Sequence, residues 1–163
     1  MRLPYLLSTV AAVLSTVAAQ FVAVPKTPGL TFLYSLNCTL GEPLVVGNVP
    51  EGNRVVIPIT GGTFAGPRIT GKVLNLGADW GLTDRTGTFA ADTRYHLLTD
   101  DGAHIFIRTS GPAQADGMLH LRIIFETGSD KYYWLNHIVA VGVLKVGDGS
   151  VWIDAWQLDS PGA

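Results

Sequence analysis

Residues 88–110 read TFAADTRYHLLTDDGAHIFIRTS, and the fold follows from this stretch. Apolar, aromatic and β-branched residues alternate with polar ones from Thr88 to Thr99 and again from Ala103 to Ser110, the period-two pattern of a strand with two unlike faces. Between the two runs, Asp100-Asp101-Gly102 offers residues suited to a tight turn, so the stretch predicts an antiparallel hairpin.

The same grammar continues outward in both directions. Further strands are predicted at Thr31–Cys38, Asn53–Ile59, Gly62–Leu76 with a kink near Gly66-Pro67, Leu119–Thr127, Tyr132–Leu144 and Val151–Leu158. Gly128-Ser129-Asp130 and Gly147-Asp148-Gly149 read as turns, and Pro25 to Gly29 as a lead-in to the first strand. Helical periodicity is nearly absent, while 19 Gly and 9 Pro break the chain at short intervals. About eight strands on short turns predict an all-β fold, a single antiparallel β-barrel, with a sandwich as the alternative.

Strand faces carry functional information. Asp92, Arg94, His96, His104, Arg108, His120, Arg122 and Glu126 share one face of the central strands, and Phe89, Tyr95, Leu97, Ile105, Ile107, Leu121, Ile123 and Phe125 share the other. Two readings stay open: the charged face is solvated, or the sheet closes so that part of it lines a cavity. Arginine and histidine without lysine on that face incline toward the second. The last two strands are apolar or aromatic on both faces and are expected to be buried on both, with Asn136, His137 and Asp154 as polar groups in need of partners. Asp154 lies between Trp152 and Trp156 at two-residue spacing, where burial would raise its pKa unless an arginine pairs with it.

Composition bounds the rest. A chain of 163 residues supports one sizeable core. With 15% charged and 47% apolar residues it is not a disordered chain. At the N-terminus Arg2, the uncharged run Leu3 to Val17 and the small residues Val17-Ala18-Ala19 read as a cleavable signal peptide, residues 1–19, ahead of a barrel domain, residues 20–163. The apolar run is short for a spanning helix, so no stable membrane insertion is expected after cleavage. Loss of Arg2 leaves ten basic against thirteen acidic residues, a net of −3, which offers no footprint for nucleic acid. A secretory or extracellular location agrees with the Asn37-Cys38-Thr39 sequon, which makes Asn37 a glycosylation candidate. Cys38 is the only cysteine, so no intramolecular disulfide forms.

Standard catalytic signatures are missing: no G-x-S-x-G elbow, P-loop, dinucleotide glycine pattern or H-E-x-x-H. Single, scattered histidines have no metal-ligand spacing, so neither a metal nor a redox cofactor is predicted.

An ordered series of motifs then comes into view: Gly61-Gly62-Thr63-Phe64-Ala65-Gly66-Pro67, Gly71-Lys72-Val73, Gly77-Ala78-Asp79-Trp80, Thr99-Asp100-Asp101-Gly102, Phe125-Glu126-Thr127-Gly128 and Tyr133-Trp134-Leu135-Asn136. From about Phe32 to Leu158 the chain resembles the family called domain of unknown function 3237, found in bacteria and fungi. Where members of that family commonly carry Asp-Gly after the tryptophan motif, this chain has Thr86-Gly87, so no role of that aspartate is carried over. The resemblance implies a small barrel similar to allene oxide cyclase and the dirigent proteins. It also suggests a cofactor-free cyclase or isomerase of secondary metabolism that adds a hydroxyl across an alkene within one molecule.

Such chemistry needs an acid for the alkene, a base for the hydroxyl, and an apolar cavity that folds the substrate and shields a cation. Candidate acid/base groups are Asp79, Glu126 and Asp154, with Arg94 as charge partner. Trp80, Tyr133 and Trp134 are candidate aromatic walls for an apolar or aromatic small molecule, and Arg54 and Asn136 candidate oxygen-orienting groups, each with core packing or anchoring as its simpler role. The alternative function is a non-catalytic, dirigent-like barrel that orients a bound metabolite. An apolar outer face would call for covering by a homodimer or homotrimer.

Overall fold

The Asp100-Asp101-Gly102 turn forms as its residues predict. Gly102 takes φ +88°, a backbone region that favours glycine, and its N–H donates to the Thr99 carbonyl at 2.9 Å. The strands on either side pair from Leu98 with His104 to Ala90 with Pro112. The computed structural model describes residues 24–162. Its strands are β1 (Gly29–Leu40), β2 (Leu44–Val49), β3 (Gly52–Ala65), β4 (Thr70–Asp79), β5 (Leu82–Thr83), β6 (Phe89–Thr99), β7 (His104–Pro112), β8 (Leu119–Glu126), β9 (Ala140–Val146) and β10 (Ser150–Asp159). One short 3₁₀ helix, Tyr133–His137, precedes β9.

Hydrogen-bonded neighbours run β1-β10-β9-β8-β7-β6-β4-β3, and β3 returns to β1, so eight antiparallel strands close into a barrel. The short strands β2 and β5 are added at one end, against β3 and against β3 and β6 respectively. Closure gives each of the eight a barrel neighbour on both sides and one inward face.

Several expectations need correction. Gly62–Leu76 is not one kinked strand: its first part belongs to β3, and the chain turns at Gly66–Ile69, closed by Gly66 N–H to Ile69 O at 2.9 Å. Pro67 has no N–H for a ladder, and a Cβ on Gly66 would meet the Leu33 carbonyl oxygen at 1.8 Å, so the motif is built for a turn packed on β1. Tyr132–Leu144 is likewise divided. Its aromatic start is the 3₁₀ helix, held because Asn136 Oδ1 accepts from Thr127 N–H and its Nδ2 donates to Thr127 O, both at 2.9 Å. The strands β2 and β5 were not foreseen, since Leu44, Val45 and Val46 are exposed and show no alternation. The predicted signal peptide falls outside the described residues.

The barrel wall settles which face points where. Leu97, Ile105, Ile107, Leu121, Ile123 and Phe125 are buried, whereas His104, Arg108, His120, Arg122 and Glu126 are exposed. The charged face therefore looks outward. Strands β9 and β10 are not buried on both faces either: Val141, Trp152 and Asp154 are exposed on the outside.

The interior is filled unevenly. Near the 3₁₀ helix, Tyr34 packs edge-on against Phe64 and Phe125 with ring centroids 5.7 and 6.2 Å apart, beside Leu97, Ile105 and Leu135. Toward the other end the inward positions are small, namely Cys38, Ala91, Thr93 and Thr109, and they leave space.

Candidate active site

That space is an apolar chamber of ≈ 140 Å³. Its walls are aliphatic side chains such as Leu36, Ile59, Leu119 and Ile153, with Phe89 among them. Its polar lining consists of Asp79, Thr93, Tyr95, Thr109 and Cys38.

Asp79 enters the chamber because of ladder register. It pairs directly with Thr93 in β4–β6, and directly opposed residues point to the same side of a sheet. Its Oδ1 accepts the Asp92 backbone N–H at 2.8 Å, and the next peptide, Trp80 N–H, donates to Asp92 O at 3.0 Å. Gly77 makes this approach between strands feasible: a Cβ there would meet Arg94 O at 2.2 Å. Burial drives the Asp79 carboxyl above the ordinary aspartate value. The Asp92 N–H and the Thr93 hydroxyl pull the other way, and the Asp92 charge adds to the rise. A carboxyl of this kind holds its proton where an exposed one has lost it.

Cys38 shares the chamber but not the reactivity. Burial pushes its thiol up to about 12, so it stays protonated and behaves as a small apolar group.

Of the other predicted residues, none lines the chamber. Glu126 faces an open outer groove with His96, His104, Phe106, Tyr133 and Asn136. Asp154 is exposed on the outside of β10, where the Ser35 hydroxyl donates to it; its flanking Trp152 is exposed too, so the indoles do not desolvate it. Arg94 lies on the outer wall, 3.2 Å from Asp92 and with its guanidinium 5.6 Å from the Trp80 ring centroid. Arg54 Nη1 donates to Trp80 O at 2.6 Å, so Arg54 and Trp80 tie the segment after β4 to β3. Trp134 stacks under the Arg68 guanidinium at 3.7 Å at the filled end, and Tyr133 stands edge-on to His137 at 5.5 Å. The proposal of a two-carboxylate interior is thus corrected: pleat alternation sends Glu126 and Asp154 to the far side of the wall from Asp79. Asn37, the sequon residue, is half-buried on β1 between Trp152 and Thr63.

Sequence reasoning overlooked Thr93, Tyr95, Thr109 and Tyr34 as site groups. The available signal was the set of hydroxyls, Thr93, Tyr95, Thr99 and Thr109, on inward positions of β6 and β7 among otherwise apolar residues, with Thr99 at the end away from the chamber. Among the described residues no three of His, Cys, Asp and Glu are grouped as metal ligands would be, and no helix is long and apolar enough to cross a membrane.

Comparison with known proteins extends this picture. Residues 28–117, more than half of the chain, match a family described as protein of unknown function, DUF3237. A hydroalkoxylation enzyme of Penicillium herquei is 29% identical over 159 residues, covering 98% of this chain and all of that one. A UPF0311 protein of Rhodopseudomonas palustris is 28% identical over 144 residues, covering 78% of this chain and 94% of its own length. Among solved structures, a β-barrel-like protein from Acinetobacter baumannii superposes with a TM-score of 0.79 at 36% identity, over 85% of this chain and 100% of that one. An enzyme from Penicillium herquei superposes with a TM-score of 0.72 at 30% identity, with the same coverage of both chains.

Proposed function

The chain belongs to the DUF3237 family, and from that premise we propose that it is a cofactor-independent cyclase that closes an oxygen ring by adding a hydroxyl to an alkene in the same molecule. One observation carries the reading: Asp79, raised in pKa by burial, is the one ionisable carboxyl among the residues lining the apolar chamber. The similarity to a hydroalkoxylation enzyme along nearly the whole chain supports it.

The addition is redox-neutral, and one carboxyl can serve it twice. Protonated Asp79 gives its proton to one alkene carbon, breaking the π bond and leaving a cation on the other. The substrate hydroxyl oxygen attacks that carbon, forming the C–O bond, and the Asp79 carboxylate accepts the hydroxyl proton. The enzyme ends as it began. Apolar walls exclude water that would otherwise trap the cation, and the Phe89 and Tyr95 rings offer π faces to it. General acid catalysis of this kind contributes about 10²- to 10⁴-fold.

The test uses 2-allylphenol, which carries both reacting groups. The wild-type chain is expected to convert it to the ring-closed ether. Asp79→Asn is expected to lose about 10²-fold or more in kcat while keeping its circular dichroism spectrum and Tm. Full turnover by Asp79→Asn would instead favour the alternative, a binding barrel that orients an apolar metabolite without catalysing its reaction.

Secretion behind residues 1–19, glycosylation at Asn37 and self-association through the exposed outer band that includes Ile124 and Trp152 form part of the same proposal. A glycosidase-sensitive mass shift of secreted chain and a light-scattering mass test them directly.

A further inference from the structure

At the inner end of the chamber stand two hydroxyls that the chemistry above does not use. Tyr95 lines the chamber and is 2% exposed, and Tyr34 behind it is fully buried. The two hydroxyls face each other in a contact short of ordinary hydrogen-bond geometry, and among the described residues neither has any other partner. Buried polar groups without partners are rare, and each costs on the order of 1–3 kcal/mol. Two hydroxyls that meet only each other leave at least one O–H without an acceptor, and Tyr95, the one that lines the chamber, can find its acceptor on a ligand.

We propose that the Tyr95 hydroxyl is a ligand-recognition group, hydrogen-bonding a neutral phenol or alcohol oxygen on the molecule that occupies the chamber, with Tyr34 behind it as a positioning residue. The neutrality of that oxygen follows from the lining. No Lys, Arg or His lines the chamber, so an anionic oxygen would be buried beside Asp79 without a counter-charge. Burial, the largest cause, holds the Tyr95 phenol well above its ordinary pKa, with the Tyr34 and Cys38 neighbours adding to the rise, so it remains a donor at all working pH. Ligand orientation follows: the oxygen-bearing end lies inward at Tyr95, and the rest extends along the aliphatic wall past Asp79. This deepens the cyclase reading by naming the chemistry of the ligand's inner end, and it rests on the same chamber.

The experiment titrates phenol and benzene separately into the full chain, followed by chemical-shift changes of the chamber's methyl groups. A chamber of ≈ 140 Å³ is similar to the apolar cavity of about 150 Å³ known to take benzene. In Tyr95→Phe, phenol affinity is expected to fall about three- to tenfold, the value of one neutral hydrogen bond, while benzene affinity does not fall. Stability of the free Tyr95→Phe chain is expected to change little, because the hydroxyl removed makes only an imperfect contact with Tyr34. Phenol binding that survives Tyr95→Phe, or falls in parallel with benzene, overturns the proposal, as does failure of phenol to enter the wild-type chamber. Asp79→Asn separates the two claims: with phenol recognition intact and turnover of 2-allylphenol unchanged, the cyclase mechanism fails and the tyrosine site stands.

Discussion

Strand β6 contributes Leu97 to the filled end of the barrel and Thr93 and Ala91 to the hollow end, and the two ends differ in almost every physical respect. At the filled end, aromatic and branched side chains interlock around Tyr34, and the 3₁₀ helix closes over them. Small side chains at the hollow end forgo packing and leave a chamber. The carboxylates divide in the same way. Asp101, at the filled end, accepts hydrogen bonds from Lys131 Nζ at 2.6 Å, Thr99 Oγ1 at 2.5 Å and Tyr132 Oη at 3.0 Å, and the lysine above all holds its pKa down to about 2. Asp79, at the hollow end, is raised by burial. One barrel thus separates a packed end from a hollow one by side-chain size along shared strands. A carboxyl raised in pKa by burial lies at the end where packing is incomplete.

Substitutions that shrink or enlarge each end probe this division most strongly. Phe125→Ala opens a cavity against Tyr34 in the filled end and is expected to cost about 3–5 kcal/mol by urea denaturation. Enlarging a small residue follows the opposite logic in the two ends. Ala140→Leu overpacks the filled end and is expected to cost about 1–3 kcal/mol. Cys38→Leu grows into the chamber instead, so its cost is expected below about 1 kcal/mol, since burying the added methyls offsets most of the strain, while benzene binding is lost. Equal costs for the two enlargements would mean the ends are packed alike.

The two carboxylates give stability–pH slopes of opposite sign. Asp79 in the native chain retains a proton that the unfolded chain has already released. Native stability therefore falls as pH rises from about 4, the unfolded value, through Asp79's raised value. Asp79→Asn removes that loss, so the variant gains on wild type across this window when Tm is followed against pH. The contribution of Asp101 is fully present above about 4 and fades as pH falls toward its native value of about 2. Asp101→Asn is expected to flatten that acid limb, and because the group is exposed its effect is the smallest of the series.

The hairpin at Asp100–Gly102 and the closed barrel were legible because turn chemistry and period-two alternation are local signals. Alternation also grouped the charged residues on one face correctly. It could not say which face closes inward, because that depends on partners far along the chain, such as β3 meeting β1. Asp154 misled for a related reason: a carboxyl between two tryptophans reads as buried, yet on an outer wall the indoles themselves meet solvent. The 3₁₀ helix was hidden because Tyr132–Trp134 has strand-like composition, and the Asn136 bonds that fix it reach back to Thr127. Asp79 was found from its place at a strand end. Thr93 and Tyr95 were passed over because their side chains count as ordinary members of an apolar face until the cavity beside them is seen.

The central claim is that burial at the hollow end raises the pKa of the Asp79 carboxyl, and the carboxyl-carbon chemical shift of Asp79, followed by NMR against pH in the free protein, tests it without any substrate. The account predicts a midpoint for Asp79 above the ordinary aspartate value of about 3.9, with Asp101 in the same spectra titrating well below it. An Asp79 midpoint at or below the ordinary value would contradict the account, because the chamber would then hold a carboxylate with no proton to give.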